Sequence, residues 1–76
     1  MMREIGLIRD ELMKVKIKHP IWPEDMFEQL AVVTEEAGEV AKAVLHYKHE
    51  GGSMEDIRDE LLQTAAMCIR MLENLK

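Results

Sequence analysis

Residues 34–43 read Thr34-Glu35-Glu36-Ala37-Gly38-Glu39-Val40-Ala41-Lys42-Ala43, and the direction of these glutamates decides the fold. At about 100° per residue, Glu36 falls among Val32, Val33, Val40 and Ala43. The other side of the same segment is also apolar: Phe27, Leu30, Thr34, Ala37, Ala41 and Leu45. A helix with two apolar sides is covered twice. The pattern therefore predicts a partly buried Glu36, with Glu39 at its margin. Two carboxylates roughly 5–6 Å apart repel by about 3 kcal/mol at an effective dielectric near 20. Neither has a basic residue at i+4, and a divalent cation would remove the cost. The bland alternative is a solvated acidic face, with Lys42 pairing to Glu39 across three residues.

Outward from this segment the chain punctuates itself into three helices. The first spans about 3–18, where Ile5, Ile8, Leu12 and Val15 recur at helical spacing. Lys14, Lys16 and Lys18 gather at its end and read as a solvated C-terminal turn that suits the helix dipole. His19-Pro20-Ile21-Trp22-Pro23 interrupts it, because two prolines in four residues restrict their predecessors as well. The second helix spans about 24–48, with Glu24 and Asp25 at its positive end, and Gly51-Gly52 supplies a left-handed cap. Ser53 is an N-cap with Asp56 three residues on, opening a third helix over about 54–74. Its expected core stripe is Ile57, Leu61, Ala65, Cys68, Leu72 and Leu75. Short connections predict antiparallel neighbours. No strand pattern or internal repeat is visible.

At 76 residues the chain makes a single all-α domain, residues 1–76, and buries too small a share of its surface to be comfortable alone. One cysteine, Cys68, excludes a disulfide framework, and His19, His46 and His49 lack structural zinc spacing. Oligomerisation is the remaining route to stability. The expected architecture is an antiparallel bundle of three main helices, completed by oligomerisation into a four-helix-bundle-type core. Aromatics make up 4% of the chain, so the core comes from aliphatic residues and from seven Met. Net charge is −5, which argues against duplex nucleic acid or an anionic membrane as the main partner. No leader is expected and no apolar run approaches a membrane span. The lone thiol fits a cytoplasmic location.

Glutamates at i and i+3 project about 60° apart and can hold one ion together. Glu36 and Glu39 form such a pair, and Glu60 and Gln63 repeat the spacing on the third helix. Two inward pairs on antiparallel helices make a ligand cage, and oxygen ligands select Mg²⁺, with Mn²⁺ as a substitute.

The run Glu35-Glu36-x-x-Glu39, followed by Asp59-Glu60-Leu61-Leu62-Gln63-Thr64-Ala65-Ala66, resembles the MazG-like nucleoside triphosphate pyrophosphohydrolases. This all-α superfamily includes dimeric dUTPases. The resemblance spans roughly residues 20–73. It implies a Mg²⁺-dependent cut between the α- and β-phosphates of a nucleoside triphosphate, giving monophosphate and pyrophosphate. Carried over by position, E-x-x-E followed by E-x-x-D places Glu36, Glu39 and Glu60 on the metal. Gln63 stands where the family has aspartate, which leaves three negative charges rather than four. The resemblance extends to a subset, often phage-like, with glutamine there. Glu35 and Glu36 are the implied catalytic carboxylates, with Glu35 supporting the pair or orienting water. The chain is short for the family, and a homodimer or dimer of dimers would supply the missing cover.

Around that site, Arg70, seven residues after Gln63, is a candidate phosphate clamp or an ordinary surface or interface arginine. Lys48 and Arg58 are further phosphate candidates. Trp22 is a candidate for stacking on a base, or for capping the bundle end. Met67, Met71 and Cys68 read as core or interface. The alternative to an enzyme is a non-catalytic helical oligomerisation or interaction module on the same scaffold.

Overall fold

The computed structural model describes residues 1–76. The chain is all-helical: α1 is Met2–Lys18, α2 is Met26–Glu50 and α3 is Met54–Asn74. No helix is long and apolar enough to cross a membrane.

The local chemistry of each boundary is visible. α2 starts two residues later than the sequence pattern suggests, because Asp25 is the cap and not a first-turn residue. Asp25 adopts extended backbone and its carboxylate accepts from the Glu28 N–H at 3.1 Å. At the other end α2 runs two residues further, to Glu50. There Gly51 takes φ 76° and its N–H donates to His46 O, and the Gly52 N–H donates to the same carbonyl at 3.0 Å, closing the helix through a left-handed glycine. A Cβ on Gly52 would collide with the His46 ring. Ser53 then caps α3, its hydroxyl accepting from the Asp56 N–H at 3.1 Å.

α3 is the central element. α2 and α1 both pack against it, and their backbones do not approach each other. The expectation of antiparallel neighbours holds for the α2–α3 hairpin; α1 also runs opposite to α2 but is not its neighbour. The linker His19–Asp25 carries the chain across, so that α1 lies beside α3 and runs in the same sense. Leu12 packs with Ala66 and Met67, and further along Lys16 Nζ lies 2.8 Å from Glu73 Oε1.

The fully buried apolar core is small: Leu12, Ala66 and Met67, with Val15, Trp22, Val32, Val33 and Ile69 packed around it. The stripe expected to be the α3 core is corrected by this packing. Leu61, Cys68, Leu72 and Leu75 are exposed, and the inward side is Ala66, Met67 and Arg70, about one residue's rotation away. α3 carries apolar residues on two sides, and a single chain has helices for only one of them. α2 behaves likewise. Val32, Val33, Val40, Ala43 and Glu36 are sheltered, while Phe27, Leu30 and Leu45 are open. Helical spacing puts Phe27, Leu30 and Leu45 of α2 and Leu61, Cys68 and Leu72 of α3 on one side of the hairpin, opposite the side that α1 covers.

The accessible surface, 5861 Å², reflects this. A compact monomer of 8.8 kDa exposes about 4,800 Å². The excess, on the order of 1,000 Å², is close to one partner's share of a standard protein interface.

The left-handed turn at Gly51 sets the α2–α3 hairpin on which everything else packs. Gly51→Ala should destabilise the fold by about 1–2 kcal/mol, lowering Tm by several degrees in a thermal melt followed by circular dichroism.

Candidate functional site

The antiparallel α2–α3 pair brings the two acidic segments together, and α1 walls off one side of their meeting point. A groove of about 350 Å³ is lined by Glu36 from α2, by Asp59, Gln63 and Met67 from α3, and by Glu11, Lys14, Val15, Lys18 and His19 from α1 and its end. Next to it, a second groove of about 400 Å³ is lined by Glu39 and Lys42 from α2 and by Asp56 and Glu60 from α3, with His46 at its far end. Asp59 and Gln63 belong to both, so the two form one continuous trough.

Its electrostatics follow from that placement. Glu36 is half-buried, and its Oε2 is fully shielded without a hydrogen-bond partner. Burial pushes its carboxyl above the usual carboxylate range, and the charges of Glu60, Glu35, Glu39 and Glu11 push it further. Glu60 is also raised, first by burial and then by Glu39, Asp59 and Asp56. Lys42 makes no ion pair, and the only cation paired to a trough carboxylate is Lys14, 3.5 Å from Glu11. The negative charge in the trough is thus concentrated and undercompensated.

The shielded Glu36 oxygen and the acids around it are oxygen donors, the type that hard divalent cations such as Mg²⁺ or Mn²⁺ take. The carboxylates are not drawn into a ligand cluster: no three His, Cys, Asp or Glu side chains stand close enough to form one. Glu36 and Gln63 share the first groove, while Glu39, Glu60 and Gln63 share the second. Glu35 is exposed and lies outside both, acting on Glu36 only through its charge.

Four other sequence candidates lie elsewhere. Arg70 is corrected as a phosphate clamp, because it is only 4% exposed. Its Nη2 donates to His19 O at 2.7 Å and its guanidinium lies 5.0 Å from the centre of the Trp22 ring. Trp22, the candidate for base stacking, is half-buried and lies outside the trough. It carries Arg70, packs against the core and buries its Nε1. Buried Gln29 completes this anchor, its Nε2 donating to Pro23 O at 2.9 Å and to Glu24 O at 3.3 Å. Lys48 is exposed and outside the trough. Arg58 is exposed as well, with its Nη1 3.7 Å from Glu55.

The polar trough residues that the sequence pattern did not single out as site residues are Glu11, Lys14, Lys18, His19, Lys42, His46, Asp56 and Asp59. Glu11 had a local signal: it sits three residues after Ile8 and four before Val15, beside the apolar stripe of α1. The α1 lysines had none, since their position depends on α1 docking to α3.

No protein-family model, no curated protein and no solved structure matches the chain.

A folded-state carboxyl held above its usual range penalises folding once it ionises. The penalty is absent below the ordinary carboxylate range, grows as pH rises through the folded-state value, and is complete above it. Glu36→Gln should accordingly raise Tm by a few degrees at pH 7 without divalent cations. The gain should vanish near pH 4, in melts compared across that range.

Proposed function

We propose that this chain is a Mg²⁺-dependent nucleoside triphosphate pyrophosphohydrolase of MazG-like type. It would cut the α–β phosphoanhydride of (d)NTPs to give a nucleoside monophosphate and pyrophosphate. The observation that carries this reading is the shielded, unpartnered Oε2 of Glu36, set in a trough where acids of α2 and α3 raise one another's proton affinity. Glu36, Glu39 and Glu60 would hold the metal, with the Gln63 amide oxygen as a neutral fourth donor or as the group that orients water. Bound Mg²⁺ supplies neutralisation of phosphate charge and activation of water. In the reaction, a water oxygen bonds to the α-phosphorus, the bridging oxygen leaves with pyrophosphate, and the water's proton passes to a carboxylate. Glu35 and Glu36 are the carboxylates assigned to that role. Glu35, exposed beside Glu36, also contributes charge. Arg70 and Trp22 take no part, since both are committed to the α1–α2 linker.

The assay is pyrophosphate release from a panel of (d)NTPs. Release should require Mg²⁺ or Mn²⁺ and should fall at least about 100-fold in Glu39→Gln and Glu60→Gln, as removal of charge from the reacting site does. Unchanged release in both variants counts against the assignment.

The partner in this reading is a second copy of the chain, as a homodimer or a dimer of dimers. The outer apolar side of the α2–α3 hairpin is where two copies would meet, and two such hairpins make a four-helix core. The support is the surface excess described above and the exposure of Phe27 at 77% and Leu72 at 70%, unusual on a monomer. Leu72→Glu should convert a dimer to a monomer in sedimentation velocity and lower Tm. On a chain that is already monomeric it would leave both unchanged.

A second reading has its own observation. No ligand cluster is preassembled, as expected of a non-catalytic helical interaction module. Such a module would use the same apolar side and show no specific Mg²⁺ binding by calorimetry.

A further inference from the structure

We propose that the C-terminal turn of α1 is the subsite for the pyrophosphate end of the polyphosphate chain, with Lys14 and Lys18 as the residues that bind its phosphoryl oxygens. This inference rests on the metal-site reading above and adds a part that the acidic segments do not contain.

The three lysines at the end of α1 alternate along the sequence, but the structure separates them. Lys16 points toward α3 and its Nζ is held by Glu73 at 2.8 Å. Lys14 and Lys18, one helical turn apart on a common side, line the same groove as Glu36 and Gln63. Lys18 has no ion-pair partner, and Lys14 has only Glu11 at 3.5 Å, with its own side chain 73% exposed. The groove is therefore bipolar: Glu36, Asp59 and the Gln63 amide on the α2 and α3 side face Lys14 and Lys18 on the α1 side, where Glu11 offsets only part of their charge. A purely cationic ligand would be repelled by the lysines, and a purely anionic one by Glu36. A ligand that is both, an anionic phosphate chain carrying a divalent cation, satisfies both walls.

The wall is also firmly placed. Leu12 and Val15 bury its inner side, and the Arg70 bond to His19 O pins its end. Lysine is suited to this task as a compact charge with three donors that adapts to phosphate oxygens without fixed geometry. The arginine that might have served is buried elsewhere. Two cations one turn apart address two successive phosphoryl groups, whereas a nucleobase gains nothing from them. The cationic wall therefore takes the phosphate tail.

The test uses the full chain and inorganic pyrophosphate in the presence of Mg²⁺, followed by isothermal titration calorimetry. Wild type should bind. The double variant Lys14→Gln/Lys18→Gln should lose at least tenfold in pyrophosphate affinity, while Mg²⁺ binding measured alone and Tm stay within error. Lys14→Arg/Lys18→Arg should retain most of the affinity, and Lys16→Gln, on the other side of the helix, should leave it unchanged. Wild type that fails to bind pyrophosphate, or a double glutamine variant that binds it as wild type does, overturns the subsite. The two readings fail separately. Pyrophosphate release from (d)NTPs with an unchanged KM in the glutamine variant would sink the subsite and leave the enzyme. Lysine-dependent pyrophosphate binding without any (d)NTP hydrolysis would sink the enzyme and leave the subsite.

Discussion

The fold depends on a buried guanidinium. Arg70 sits on the inner side of α3, gives a hydrogen bond to the His19 carbonyl fifty-one positions away, and lies against the Trp22 ring. A charge in that position is costly unless its donors are used and its faces are covered. The linker supplies one acceptor and covers one face, and Arg70 in return ties down the end of α1. Gln29 works from the other side, its amide reaching the carbonyls of Pro23 and Glu24, which the late start of α2 leaves without helical partners. These contacts turn a seven-residue connection into a rigid strap. They explain why α1 lies along α3 and not against its neighbour in sequence.

That strap has an electrostatic consequence. By placing α1 beside α3, it encloses a space that the α2–α3 hairpin alone would leave as an open acidic surface. Enclosure raises the effect of each charge, because less water screens it, and Glu36 is where this is felt most. Its carboxylate is sheltered by apolar neighbours, lacks a hydrogen-bond partner at one oxygen, and has no cation of its own. Structural carboxylates in a small helical domain are ordinarily paired or placed in solvent. A side chain left in this condition is the local cost on which the proposed metal site rests.

Much of the backbone was legible before any coordinates. Pro20, Pro23, Gly51 and Ser53 act through their immediate neighbours, so the three helices and most of their ends follow from short-range chemistry. Asp25 shows the limit, since an acid suited to a first turn is equally suited to capping it, and two residues hang on the difference. Glu36 was legible because its apolar neighbours lie on the same helix. The burial of α3 was not. Ile57, Leu61, Cys68 and Leu72 make as good a stripe as Ala66, Met67 and Ile69, and only the docking of α1 and α2 decides between them. The contacts of Arg70 and Trp22 were not legible for a related reason. Their partners are carbonyls and rings far along the chain, and no periodicity carries that information. The lysines of α1 followed the same rule, because a solvated turn becomes a groove wall only after a neighbouring helix is placed.

One feature of the topology bears on how the molecule moves. α1 docks along α3, and its backbone makes no close approach to α2, while α2 and α3 share a tight hairpin of their own. Domains come apart in cooperative pieces, and the piece with the fewest neighbours opens first. Here that piece is α1, and with it one entire bank of the trough. The molecule is thus divided into a hairpin that endures and an arm that can lift from it. Anything lodged beneath the arm would fasten it down, so that occupancy and rigidity would rise together.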